Sequence, residues 1–263
     1  MLSILKMNPL HKLIILWWTL LHTLHIQAQT LDNACLYFPS THLEKTGQWC
    51  VLLPGASGLS IFDDDSFYIR RAQMLNDKGY DVLLIDYKQY FKNKRDRNIH
   101  LPTTSEKIAW VVRHALQDAF TQGIFNKDRG GFLIAWSLAG QGAFYLVQDS
   151  GWIDDVKLHA AAVYYPAHEE WSIINSQVPL LLFTGQDDQV TPANNMKEKI
   201  DQCKLIQWIQ FPDAFHGFDV ESLSPGRTMR FPPVIGKKYL FKYHAVARDE
   251  SLKWLLDFFQ QFR

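Results

Sequence analysis

The sequence predicts a single α/β domain with a mostly parallel, twisted sheet and helices on both faces. Three observations point there. Apolar runs of strand length alternate along the chain with segments of helical spacing. Several of those runs stop at turns containing glycine or proline. The chain has 263 residues and is 47% hydrophobic, enough for one sizeable core, with no repeat, low-complexity tract or Pro/Ser-rich linker to divide it.

Taken in order, residues 31–38 and 49–54 read as two short strands, and Gly55-Ala56-Ser57-Gly58 as the loop after the second. Asp63, Asp64 and Asp65 stand where capping acids belong, before a helix over 67–75 that ends near Gly79. Residues 80–86 are a strand. Ile108, Val111, Val112, Ala115 and Ala119 form an apolar stripe at helical spacing, which marks a packing helix. Strands then recur at 133–136, 157–165, 178–185 and 205–211, with helices from Leu138, from Ala193 and over the last 20 or so residues. The connections 86–102, 165–171 and 219–238 read as loops at the carboxyl ends of strands, where a pocket should form. The Lys and Arg residues of the first and last read as solvated charges, with steering of an anionic substrate as the alternative, and His168-Glu-Glu170 as a polar loop rather than metal ligands.

Residues 1–28 differ from the rest. Lys6 and Lys12 precede an apolar core over 13–24 that is shorter than the ~20 residues a spanning helix needs. Ala28 ends a plausible cleavage site, so 1–28 reads as a signal peptide and 29–263 as the mature domain, exported to the periplasm or secreted. Membrane association enters only if this segment is retained as an anchor. The formal net charge is zero, which gives no electrostatic case for nucleic acid. In an oxidising compartment Cys35 and Cys50, on strands read as antiparallel neighbours, could form a disulfide. Closing a loop of about 15 residues would contribute roughly 3 kcal/mol. Cys203 is left over.

The chemistry concentrates at Ser137. It lies between the apolar strand ending at Trp136 and a helix carrying Gly140, Gly142 and Ala143, so its hydroxyl sits on a tight strand-to-helix turn. That arrangement needs small neighbours, because strand and helix nearly touch. Gly-x-Ser-x-Gly is the usual form, and here Ala135 and Ala139 replace the glycines. A serine hydroxyl requires a base, and the base an orienting acid, in the chain order Ser, Asp, His on loops after strands. Asp188 follows the strand that ends at Gly185, with Asp187 as second choice for the acid. His216 follows the next strand, beside Gly217.

The elbow, the Gly-x-x-Asp-x-Val-x-Pro segment at 185–192 and Ala-Phe-His-Gly-Phe at 214–218 resemble the dienelactone hydrolase family of α/β-hydrolases. The strand after Gly79 and the terminal helix resemble the family as well. Members with the namesake activity carry a cysteine nucleophile where this chain has Ser137. The resemblance implies a carboxylic ester, thioester or lactone as a small-molecule substrate, Ser137, His216 and Asp188 as the triad, and no cofactor or metal. Oxyanion donors are expected from the backbone N–H of Leu138 and of Ala56, with Ser57 close behind Ala56. A peptidase or acyltransferase on the same fold, and a hydrolase-like binding protein without turnover, are the alternatives. Trp136, Tyr164 and Tyr165 could wall the pocket or simply pack the core.

Overall fold

The computed structural model describes residues 28–262, apart from 43–44, 95–100, 102, 168–174, 201–202 and 231–236. Residues 1–27, which hold nearly all of the expected signal peptide, and Arg95, Arg97 and His168–Glu170 therefore lie outside the described residues.

Eight strands form one sheet: β1 (Gln29–Asp32), β2 (Cys35–Phe38), β3 (Trp49–Leu53), β4 (Asp81–Ile85), β5 (Gly131–Trp136), β6 (Leu158–Tyr164), β7 (Leu180–Gly185) and β8 (Ile206–Phe211). Their spatial order is β1-β2-β4-β3-β5-β6-β7-β8. β1 and β2 form a hairpin, β2 runs antiparallel to β4, and every pairing from β4 to β8 is parallel. This is the predicted α/β-hydrolase architecture. A two-stranded ribbon, β9 (Arg227–Arg230) with β10 (Lys238–Phe241), stands outside the sheet.

Because the central strands are covered on both faces, they are almost continuously apolar instead of alternating. All residues of β3, β5 and β7 are buried. One core, containing Val51, Leu53 and Leu133, lies under α2 (Tyr87–Lys94), α3 (Thr104–Thr121), α4 (Ala139–Leu146) and α5 (Ser150–Val156). The other, containing Leu52, Val82 and Phe183, lies under α1 (Phe67–Asn76) and the terminal helix, which follows the short α6 (Lys197–Ile200) as α7 (Ala245–Gln260). The stripe from Ile108 to Ala119 does face the core. Its helix starts on a capping box in which the Thr103 side chain accepts from Glu106 N–H and Glu106 accepts from Thr103 N–H.

Cys35 and Cys50 do not form the expected disulfide. β4 lies between their strands, with Cys35 opposite Ile85 and Cys50 opposite Val82. Two strand spacings are about 10 Å, beyond the 4.4–6.8 Å Cα separation that a disulfide tolerates. The side chains also belong to cores on opposite faces of the sheet. None of the three cysteines is in a disulfide. Burial pushes the Cys50 thiol far above its ordinary range, so it is inert.

Two segments read as loops contain regular structure. Residues 87–94 form α2, because Tyr87 and Tyr90 turn inward while Lys88 and Lys92 stay in solvent. The 219–238 connection supplies β9, which pairs with β10. Of the three adjacent aspartates, Asp64 organises the entry to α1: its carboxylate accepts from the backbone and hydroxyl of Ser66 and from Arg70. Among the described residues no helix is long and apolar enough to cross a membrane. None of their His, Cys, Asp and Glu side chains form a group of three or more that could hold a metal ion.

Candidate active site

Ser137 links β5 to α4 with φ of +50°, a backbone region that non-glycine residues rarely enter and that marks a sharp, strained turn. The strain is held by its neighbours. Ser137 N–H donates to Tyr164 O at 2.9 Å, and Ser137 O accepts from Gly140 N–H and Ala167 N–H, each at 2.9 Å. The methyl groups of Ala135 and Ala139 are accommodated, since both residues are completely buried. Gly142 must stay small, because a Cβ there would sit 2.2 Å from Ile108 Cγ2 on α3.

Loops from two later strands bring His216 and Asp188 to this elbow. Ser137 Oγ lies 2.9 Å from His216 Nε2, and His216 Nδ1 lies 2.8 Å from Asp188 Oδ2. His216 and Asp188 are each 3% exposed. Asp187 does not take this place; its N–H is bonded to Ala214 O. The approach depends on Gly185, where a Cβ would meet Ala214 O at 2.2 Å, so the end of β7 and the histidine loop are in backbone contact. Burial pushes the Asp188 carboxyl up. Facing His216 and accepting from Thr191 outweigh burial, so its pKa stays below the usual carboxylate value. The acid's Oδ1 accepts from the N–H groups of Val190 and Thr191, and Thr191 Oγ1 lies 2.9 Å from Oδ2. Thr191 was not legible in the sequence as a site residue.

The 55–58 loop abuts the elbow: a Cβ on Gly55 would lie 3.3 Å from Ser137 Cβ. Gly55 N–H donates to Tyr68 Oη at 2.9 Å, while Gly55 O accepts from Tyr87 Oη at 3.3 Å and from Gly58 N–H at 3.1 Å. Gly55 C=O and Ala56 N–H belong to one trans peptide, so anchoring the carbonyl aims the N–H the opposite way. Lys88 Nζ donates to Ala56 O. Burial pushes the hydroxyls of Tyr68 and Tyr87 up, so both stay neutral hydrogen-bonding groups. Leu138 stands at the N-cap of α4, where backbone N–H groups point out of the helix toward the elbow.

The aromatic residues are core rather than pocket wall. Trp136 is 1% exposed, stacks on Tyr164 at 5.2 Å, and meets Phe67 and Tyr68 edge-on. A depression of about 610 Å³ opens beside the acid, between residues 186–189, Pro192, Phe215 and Lys237. Ser137 does not line it, so it lies beside Asp188 and away from the Ser137 hydroxyl.

Comparison with known proteins agrees with this geometry. Residues 142–263, a little under half of the chain, match the model of the dienelactone hydrolase family. The match includes Asp188 and His216 and starts just after the elbow. Many solved structures share the fold, three of them as follows. A dienelactone hydrolase-like promiscuous phosphotriesterase from metagenomic libraries has a TM-score of 0.62 at 17% identity, covering 87% of this chain and 92% of its own. A dienelactone hydrolase candidate from Klebsiella pneumoniae subsp. pneumoniae MGH 78578 has a TM-score of 0.60 at 15% identity, covering 90% and 96%. The propionate-bound thermophilic esterase Est2 of Thermogutta terrifontis has a TM-score of 0.53 at 12% identity, covering 88% and 93%. No curated protein matches the sequence. The chain therefore has the α/β-hydrolase fold over its described residues, and its C-terminal part is similar to the dienelactone hydrolase family.

Proposed function

We propose that this protein is a serine hydrolase that cleaves a carboxylic ester, thioester or lactone through an acyl-enzyme. The observation that carries the reading is the hydrogen-bonded line from Ser137 Oγ through His216 to Asp188, on an elbow with positive φ. Ser137 Oγ attacks the carbonyl carbon and gives its proton to His216 Nε2. The imidazolium is stabilised through Nδ1–H by the Asp188 carboxylate, which stays ionised. The tetrahedral oxyanion takes hydrogen bonds from the N–H groups of Leu138 and Ala56, and losing one such donor costs about 2.7–4 kcal/mol of barrier. Collapse expels the leaving alkoxide or thiolate, which His216 protonates. Water, deprotonated by the same imidazole, then releases the acid and regenerates Ser137. This chain's own groups and water supply every step.

The family match and the named activities of the fold neighbours support an ester-type substrate. The test is hydrolysis of short p-nitrophenyl esters by wild type and Ser137→Ala, with amide substrates and alcohol acceptors run in parallel. Hydrolysis of esters alone, abolished in the variant, is expected. Preferential amide cleavage or transfer to the alcohol would replace the esterase reading with the peptidase or acyltransferase one. A folded wild type without turnover would favour the binding-protein reading.

A further inference from the structure

Asp219 is a second buried carboxylate close to the triad, and the steps above do not use it. It follows His216 by three residues and is 1% exposed. Its Oδ1 accepts from Tyr165 Oη at 2.8 Å and its Oδ2 from Trp136 Nε1 at 3.1 Å. The Arg71 guanidinium lies 3.5 Å from Oδ2 and donates to Asp219 O at 3.1 Å. Trp136 immediately precedes the nucleophile. The Tyr165 ring packs on the His216 imidazole, with centroids 4.6 Å apart and planes at 58°, and Phe241 meets the imidazole edge-on at 5.6 Å.

We propose that Tyr165, held by the buried Asp219 carboxylate, is a positioning residue that fixes the imidazole of His216 between the nucleophile and the acid. The inference rests on the serine-hydrolase reading above. The backbone of Tyr165 is already tied to both ends of the triad. Its φ is +36°, its N–H donates to Phe183 O at 2.7 Å, and its carbonyl lies 3.2 Å from Thr191 Oγ1, the hydroxyl bonded to Asp188. Ser137 is bonded to the residues around it, Tyr164 and Ala167. What remains free is rotation of the side chain, and the hydroxyl bond to Asp219 removes that freedom. Packing alone does not account for the carboxylate. Apolar side chains of the same volume would fill the space without the desolvation cost of a buried charge. The carboxylate's directional bonds hold Tyr165 and Trp136, the aromatic residues flanking the base and the serine, in one geometry.

The test compares wild type, Tyr165→Phe, Asp219→Asn and the double variant by ester kinetics and thermal unfolding. A proton NMR spectrum adds the far-downfield signal of the His216–Asp188 hydrogen bond. Tyr165→Phe keeps the ring and its volume, so it remains informative even if Asp219→Asn folds poorly. The expected result is a kcat about tenfold lower in Tyr165→Phe, short of the ~100-fold that a 1 Å misplacement can cost. KM should stay within about a factor of two, because substrate binding is not touched. The double variant should be no worse than the worse single, since both act through one hydrogen bond. A kcat in Tyr165→Phe within about twofold of wild type overturns the proposal. If wild type itself shows no turnover, the hydrolase reading fails separately and the proton signal decides: displaced or broadened in Tyr165→Phe supports positioning, and unchanged overturns it.

Discussion

Gly185→Ala adds one methyl group and leaves Ser137, His216 and Asp188 in the chain, so it separates the geometry of the site from its chemistry. The new Cβ would be placed 2.2 Å from Ala214 O and 2.7 Å from Ala214 C, whereas real Cβ atoms essentially never come closer than 3.0 Å to another heavy atom. The obstructing atoms are backbone, and Ala214 O also accepts the N–H of Asp187. Relief therefore requires the end of β7 and the 214–216 segment to separate by roughly 0.8 Å or more, and Asp188 and His216 ride on those two segments. A misplacement near 1 Å can cost about 100-fold in rate, and forcing a methylene into a packed interior costs about 1–3 kcal/mol. We expect kcat for p-nitrophenyl ester hydrolysis to fall about 100-fold with a measurable drop in Tm. Gly123→Ala is the control: φ there is +69° but nothing lies within 4 Å. It should lose about 1–2 kcal/mol of stability from backbone strain and keep its kcat. A Gly185→Ala protein with wild-type kcat and Tm would refute the claim that backbone contact at this point sets the acid–base distance.

Further expectations concern the acid, its partner and the thiols. Asp188→Asn should lower kcat by about 10⁴ through loss of the imidazole's orienting carboxylate. A carboxyl whose folded-state pKa is depressed stabilises the fold above its unfolded value near 3.9, and that contribution is lost as pH falls through the folded pKa. The stability gap between wild type and Asp188→Asn, measured by urea unfolding, should therefore narrow below about pH 4. A gap independent of pH would contradict the depressed pKa. Thr191→Val removes a hydroxyl from Asp188. Hydrogen bonds to charged groups are worth about 1.5–3 kcal/mol, so kcat/KM should fall by roughly 10–150-fold if the full bond is expressed at the transition state. For the thiols, all three cysteines should react with a thiol reagent in denaturant without prior reduction, and reductant should leave Tm unchanged; a single reactive thiol would restore the disulfide.

Ser137, Asp188 and His216 were legible because each sits where a strand ends, and the strands of a parallel sheet deliver their ends to one edge. The apolar runs of β3, β5 and β7 were equally plain, since burial on both faces suppresses alternation. Closeness along the chain misled the reading of Cys35 and Cys50. A chain that crosses over a parallel sheet can insert a later strand between two earlier ones, and β4 does so. The basic 86–102 segment hid a helix because its lysines mask the inward Tyr87 and Tyr90. The partners of the triad could not be read at all. Thr191 touches the acid by a turn, but Tyr165, Trp136 and Asp219 meet across 54 and 83 residues of sequence. No local pattern encodes such encounters, although Asp219 does directly follow the His-Gly-Phe segment that carries the family resemblance.

The central claim is that Ser137 is an activated nucleophile, and covalent capture tests it most directly. Wild type and Ser137→Ala would be treated with a fluorophosphonate at neutral pH, and the labelled peptide identified by mass spectrometry. The account predicts stoichiometric modification of Ser137 in wild type and none in the variant, with labelling suppressed in His216→Ala. A folded wild type left unmodified, or a label on another residue that survives Ser137→Ala, would contradict it.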